Sequence, residues 1–337
     1  MSTSSPCVSI DEDVLDFFGA SSIRSLKGNA CWTADDAISG QSIFHHYRCH
    51  TIPRSHQDES DQPRSGAGIP PFIHFIWLGD KPVPLVNDNG ESECICSWRR
   101  HHPQWMIQVW TDDDLLQEHH MKKWFNAEAL QFAIQNKNYG MASDILRLEL
   151  LFEHGGLYVD IDYLCVDSVS DLHRQFDFYC GASNTGVIEL NNGLLASQPR
   201  NYLIQQMMER IRDFSMQVFR QQSHVTLHHI SAFLDDKSRE SFDIGMALTP
   251  EQVIRHTGPG LLTFTVVQVL TSAAISASCD LSRLAVLPYQ VFHPLPNTLR
   301  RIGLEALDEE LLEGHIAPRV TKAVHLWQCS WQDKSRS

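Results

Sequence analysis

The amino-acid sequence predicts an α/β protein, with a mostly parallel central sheet flanked by helices. The run Phe72–Gly79 (FIHFIWLG) is apolar, of strand length and rich in β-branched and aromatic residues, as a strand buried on both faces should be. Residues 127–154 place Leu130, Ile134, Ile145, Leu148, Leu151 and Phe152 on one helical stripe, with a break near Asn138-Tyr139-Gly140 and a stop at Gly155-Gly156. A further apolar run, Leu157-Tyr158-Val159, follows that stop at once. Strand, strand, helix, strand in that order is the pattern of an α/β sheet.

A chain of 337 residues, 42% apolar and 20% charged, is long enough to bury a substantial core as one large domain or two small ones. Its formal net charge of -14, with no Lys/Arg-rich run, argues against nucleic-acid binding, which needs a basic surface. Nine cysteines without regular spacing read as reduced thiols, and Cys94-x-Cys96 is too close-set for a zinc hook. No signal-peptide pattern is visible at the start of the sequence, and the apolar stretch Leu261–Ala277 is interrupted by polar residues and short of the ~20 residues a spanning helix needs. The expectation is a cytoplasmic chain without a transmembrane segment.

Taken in order, Asp11–Phe18 has the pattern of a short helix, and Arg54–Gly68 is polar with Pro and Gly, a flexible linker. Residues 1–68 therefore read as an N-terminal extension. Trp77 lies at the carboxyl end of the first strand, where open α/β sheets form their ligand crevice; it either stacks on a nucleobase or fills the core. A helix ending before Pro103 leads to a second strand, Trp105–Trp110, and Thr111-Asp112-Asp113-Asp114 has the composition of a helix cap and acidic first turn. Further strands are expected at 176–182, 187–195 and 284–287, and helices from Tyr202 and from Leu261. The second of these strands carries Asn191-Asn192, which serve either a sugar or a turn.

The chemistry concentrates between Asn138 and Asp162. If the strand ends at Asp160-Ile161-Asp162, the two carboxylates can converge on one hard divalent cation, Mn²⁺ or Mg²⁺, which keeps phosphate oxygens in its shell. Asp144 and Arg147, three apart, share a helix face, so that Arg147 can offer a planar fork to a phosphate or sugar oxygen and Asp144 can accept from sugar hydroxyls. Alone, Asp-x-Asp is equally a polar strand end, and Asp144 with Arg147 an ordinary intrahelical pair. Helix, Gly-Gly stop and acidic strand end in sequence are more than either.

These residues carry a resemblance. Ala142-Ser143-Asp144-x-x-Arg147 followed by Gly155-Gly156-x-Tyr158-x-Asp160-x-Asp162 resembles the DXD sugar-binding region of glycosyltransferase family 32, which includes initiating and sphingolipid mannosyltransferases and is related to the large glucosylating toxins. Pro71-x-x-His74-x-Ile76-Trp77-x-Gly79, Gly258-Pro259 and His325…Ser330-Trp331 resemble its other landmarks, so that the likeness spans roughly 69–331 and leaves 332–337 as a tail. The resemblance implies a GT-A-like nucleotide-diphospho-sugar transferase fold and retaining, metal-dependent transfer of a hexose from a UDP- or GDP-linked donor to a hydroxyl acceptor. It implies Trp77 on the base, with Ser143, Asp144 and Arg147 on the sugar side and Tyr158 orienting the strand end. Asp160 and Asp162, with His325 as a further ligand, would hold Mn²⁺ or Mg²⁺; Asn191 and Asn192 would face a sugar, and Ser330 and Trp331 would close over the diphosphate. A non-catalytic sugar-binding relative is the alternative. Many eukaryotic members are Golgi membrane proteins, an association that here would need an anchor outside this sequence.

Overall fold

The computed structural model describes residues 8–20, 32–51, 68–87, 89–116, 124–232, 248–272, 280–299 and 314–328, with side chains of the long helix described as far as 218. The expected donor residues Ser330 and Trp331, and the linker up to residue 67, lie outside the described residues. In chain order the elements are α1 (Glu12–Phe17), α2 (Ala34–His46), β1 (Phe72–Ile76), α3 (Glu93–His101), β2 (Met106–Trp110), α4 (Asp112–Leu116), α5 (Ala127–Gln135), α6 (Tyr139–His154), β3 (Gly156–Val159) and β4 (Tyr163–Cys165). They continue with α7 (Ser170–Gln175), β5 (Phe178–Ala182), β6 (Leu190–Ser197), α8 (Tyr202–Ala232), α9 (Pro250–His256), α10 (Pro259–Thr271), β7 (Leu284–Leu287), α11 (Tyr289–Phe292) and β8 (Ala323–His325).

Six strands form the main sheet in the order β2-β1-β3-β6-β5-β7, and β4 pairs with β8 in a separate two-stranded ribbon. β6 runs antiparallel to both neighbours, β3 and β5, whereas the β1–β2, β1–β3 and β5–β7 pairs are parallel. The sheet is thus mostly parallel and helix-flanked, the α/β class the pattern of runs implies. One apolar core lies under α5, α6, α8 and α10 and takes Tyr158, Cys180, Leu195 and Val286 from the sheet; the other lies under α3 and α11 and takes Ile73, Phe75, Val159, Leu194 and Ala285. Alternation along each strand feeds the two cores in turn.

Local chemistry sets the boundaries. α3 begins at Glu93, where the Ser92 side chain caps the Ile95 amide at 3.5 Å, and ends before Pro103 as expected. The helical pattern over 127–154 breaks where expected, into α5 and α6, with Asn138 capping the Met141 amide at 3.2 Å. Gly155 (φ 65°, ψ -163°) and Gly156 (φ 101°) then reverse the chain into β3. Both conformations lie in regions other residues avoid, and a Cβ on Gly156 would sit 2.4 Å from the Phe72 carbonyl oxygen. That reversal delivers β3 beside β1, with the acidic residues following at its carboxyl end.

Part of the segment before Phe72 belongs to the first core: Val14, Leu15, Phe17 and Phe18 of the α1 region and Ile43 of α2 are buried in it. His46, also buried, bonds through Nε2 to the Leu284 carbonyl oxygen of β7 at 2.8 Å. Among the described residues no helix is long and apolar enough to cross a membrane. The described cysteines Cys49, Cys94, Cys96, Cys165 and Cys180 are free thiols.

Candidate active site

β3 ends at Val159, and Asp160, Ile161 and Asp162 make the turn that leads into β4. The carboxylates therefore converge through a turn rather than through strand alternation. The Asp160 amide donates to the Gly193 carbonyl oxygen at 2.7 Å, extending the β3–β6 ladder by one bond. Gly193 has no side chain at the point where Asp160 lies closest: a Cβ there would be 2.6 Å from Asp160 Oδ2.

Arg147 is the centre of the first cluster. Its Nη2 lies 3.1 Å from Asp144 Oδ1 and 3.5 Å from Asp160 Oδ1; Nη1 donates to the Asn192 carbonyl oxygen at 2.6 Å and Nε to that of Ser143 at 3.1 Å. The guanidinium also lies over the Tyr158 ring, 4.4 Å from its centroid, and the Tyr158 hydroxyl donates to Asp160 Oδ1 at 2.5 Å. Most of the arginine's five N–H groups are thus committed to protein. Its charge is set between two carboxylates, and it orders them. Burial alone would lower its pKa, but the Tyr158 oxygen, Asp160 and Asp144 around it win and hold it firmly cationic.

Asp144 is buried and receives the Asn192 side-chain amide at 2.8 Å and the Thr257 hydroxyl at 3.0 Å besides Arg147. Burial pushes its carboxyl up, and Arg147, Thr257 and Asn192 offset only part of that. Thr257, at the carboxyl end of α9, has no signal in the sequence beyond its place before Gly258-Pro259. Asn191 and Asn192 are neighbours with opposite duties: Asn192 serves Asp144, while Asn191 Oδ1 accepts from the Tyr163 hydroxyl at 3.2 Å and the Gly193 amide at 2.7 Å.

The second cluster is reached through the β4–β8 ribbon. Tyr163 pairs with His325 across it, and this brings His325 Nε2 to 3.3 Å from Asp162 Oδ1. Asp162 also accepts from the Gln328 amide at 2.8 Å, and its own carbonyl oxygen accepts from the Leu326 amide at 3.0 Å. Burial would raise the Asp162 carboxyl, but the His325 imidazole and the Gln328 N–H outweigh it and hold the group below the usual range. Asp160, Asp162 and His325 each bring a ligand atom within 4.8 Å of the others. His325 Nδ1 is buried with no hydrogen-bond partner. Two carboxylates and an imidazole with an unsatisfied nitrogen suit a divalent cation such as Mn²⁺, and the residues present fit one. The Asp160 side chain is 33% exposed against 9% for Asp162 and His325, so a ligand would meet Asp160 first.

Trp77 stands at the end of β1, half-buried, and its indole N–H donates to the Lys81 carbonyl oxygen at 2.7 Å. The structure thus brings Asp144, Arg147, Tyr158, Asp160, Asn192, Asp162, His325 and Asn191 into one linked group, to which Ser143 contributes its carbonyl oxygen. Thr257, Gly193, Tyr163 and His293, whose Nε2 lies 2.7 Å from the Tyr163 hydroxyl, join that group without having been singled out from the sequence for it.

Residues 88–179 match the family model described as a glycosyltransferase sugar-binding region containing a DXD motif. The helix–turn–strand unit that carries Asp144, Arg147, Asp160 and Asp162 falls inside that match. Among individual proteins, it is 30% identical over 177 residues to the subversion of eukaryotic traffic protein A of Legionella pneumophila, covering 44% of this chain and 26% of that protein. It is 24% identical over 166 residues to inositol phosphoceramide mannosyltransferase 1 of Schizosaccharomyces pombe, covering 48% of this chain and 49% of that one. The matched region therefore spans about half or less of those relatives' lengths. Among solved structures, the PaToxG glycosyltransferase superposes with a TM-score of 0.44 at 17% identity, over 72% of this chain and 80% of that one.

Proposed function

We propose that the chain is a retaining, metal-dependent glycosyltransferase that moves a hexose from a UDP- or GDP-linked donor to a hydroxyl acceptor. The observation that supports this most is the convergence of Asp160, Asp162 and His325 within 4.8 Å, tied by Arg147 to the buried Asp144. Asp160, Asp162 and His325 would hold Mn²⁺ or Mg²⁺, which supplies charge neutralisation for the departing diphosphate. Asp144, with one oxygen shared by Asn192 and Arg147 and the other facing Thr257, is the group that would read sugar hydroxyls. Arg147 sets its positive charge between the Asp144 and Asp160 side chains and so holds the two side by side. Trp77 would stack on the base, at the crevice end of β1. The name of the S. pombe relative makes a mannosyl donor the first to assay.

The test is donor hydrolysis and transfer with a panel of UDP- and GDP-sugars in the presence of Mn²⁺, scored by released diphosphate. Asp160→Ala and Asp162→Ala are expected to abolish both while circular dichroism stays unchanged. Full activity in both variants would remove the metal assignment. Binding of donor without any turnover across the panel would favour a non-catalytic sugar-binding relative.

A further inference from the structure

Tyr163 is fully buried, directly follows the second aspartate, and its amide donates to the Asp160 carbonyl oxygen at 3.2 Å. Its ring stacks on His325 with centroids 4.2 Å apart and planes 6° from parallel. Its hydroxyl lies 2.7 Å from Nε2 of His293, a fully buried histidine on the loop after α11, and 3.2 Å from Asn191 Oδ1. The same Asn191 oxygen accepts the Gly193 amide at 2.7 Å, and the Gly193 carbonyl oxygen accepts the Asp160 amide at 2.7 Å. One tyrosine thus connects to the imidazole ligand by stacking, to Asp162 by the chain, and to Asp160 by three hydrogen bonds through Asn191 and Gly193.

We propose that Tyr163 is the positioning residue of the cation site, anchored by His293 and acting on His325 through its ring and on Asp160 through Asn191 and Gly193. This rests on the metal reading given above. Residues behind the ligands fix ligand orientation, and their loss typically weakens metal affinity about 10–100-fold. The ring and the hydroxyl make separable contributions. The ring stacks on His325, which Trp327 contacts from a ring centroid 4.1 Å away; the hydroxyl bonds Asn191 Oδ1 and His293 Nε2.

The experiment titrates the full chain with Mn²⁺ alone, following the free-ion electron paramagnetic resonance signal, for wild type, Asp162→Ala, Tyr163→Phe and Tyr163→Leu, with thermal midpoints measured in parallel. Wild type is expected to bind and Asp162→Ala to lose binding. Tyr163→Phe should weaken Mn²⁺ affinity about 10-fold and Tyr163→Leu more, with the activity of Tyr163→Phe restored by excess Mn²⁺. A purely structural role would lower the thermal midpoint without moving the Mn²⁺ dissociation constant of the folded protein. Wild-type affinity in Tyr163→Phe and Tyr163→Leu, with binding lost in Asp162→Ala, overturns the positioning role and leaves the metal reading standing. Equal Mn²⁺ binding in wild type and Asp162→Ala, or none in wild type, overturns both.

Discussion

At the scale of single residues, the site depends on a missing side chain as much as on those present. Gly193 has ordinary extended backbone, so its need for glycine is one of space: a Cβ would meet Asp160 Oδ2 at 2.6 Å, Asn191 Oδ1 at 3.0 Å and the Tyr163 hydroxyl at 3.1 Å. All three belong to the hydrogen-bonded group that joins Asp160 to Tyr163. Gly193→Ala should therefore displace the Asp160 carboxylate while leaving the strand intact, and misplacements near 1 Å cost about 100-fold in rate. Donor turnover measured beside the thermal midpoint tests this; wild-type turnover would mean that Asp160 can shift without consequence. Nothing in the local sequence marks Gly193 out from other strand glycines, because the constraint comes from a residue 33 positions earlier. Asp144 and Arg147 were legible by their spacing, and Asp160 and Asp162 by theirs. What spacing does not carry is that Arg147 spends its donors on Asp144, Asp160, Ser143 and Asn192, and that Thr257 completes Asp144.

At the scale of elements, two buried histidines tie strands and helices together in the neutral form. His74 on β1 donates through Nε2 to the Gly155 carbonyl oxygen at 2.9 Å, and its Nδ1 accepts from the Trp110 indole at 3.2 Å. His102, ending α3, donates through Nδ1 to the Trp98 carbonyl oxygen at 3.2 Å and accepts from the Val169 amide at 3.0 Å. Each has one donor and one acceptor nitrogen satisfied, so an added proton has no acceptor to meet. Burial lowers both from 6.5 to about 4. The sign follows: below pH 6.5 the unfolded chain binds these protons and the folded chain does not, so stability rises with pH across that interval and is lost on acidification toward 4. Each histidine contributes on the order of 3 kcal/mol over the full interval. Glu149, raised to about 7 by burial, contributes with the opposite sign, so a variant isolates the histidine better than the wild-type profile does. His102→Asn keeps a donor and an acceptor, and should flatten the acid limb of chemical denaturation between pH 6.5 and 4; an unchanged slope would refute the assignment. Strand β1, the split between α5 and α6, and the glycine stop were readable because periodicity and Gly-Gly are local signals. The extent of β6 was not, since it begins after a turn whose residues look equally strand-like.

At the scale of the whole molecule, residues 1–68 read as an extension because the polar run Arg54–Gly68 sets them off, yet the described parts contribute Val14, Phe17, Phe18 and Ile43 to the core that also lies against α6, the helix of Asp144 and Arg147. The polar run after Thr51 hides this, because composition reports what a segment is made of and not what it packs against. Phe18→Ala should cost about 3–5 kcal/mol of stability, the range for a buried aromatic truncated to alanine. Urea denaturation tests this, and a loss under about 1 kcal/mol would show that α1 rests on the core without completing it. The overall class, by contrast, was legible, because a continuous apolar strand and an amphipathic helix leave few ways to be covered. The β5–β6 pairing jumps from Cys180↔Leu195 to Gly181↔Asn191, a bulge that releases residues 192–194 from β5. Because of it Leu190 and Leu195, an odd number of positions apart, enter the same core. A mutational scan of length should find this the most intolerant part of the sheet: removing or adding one residue between Asn192 and Leu195 would turn Asn192 away from Asp144 and Asn191 away from the Tyr163 hydroxyl, undoing both halves of the cluster with one change of length.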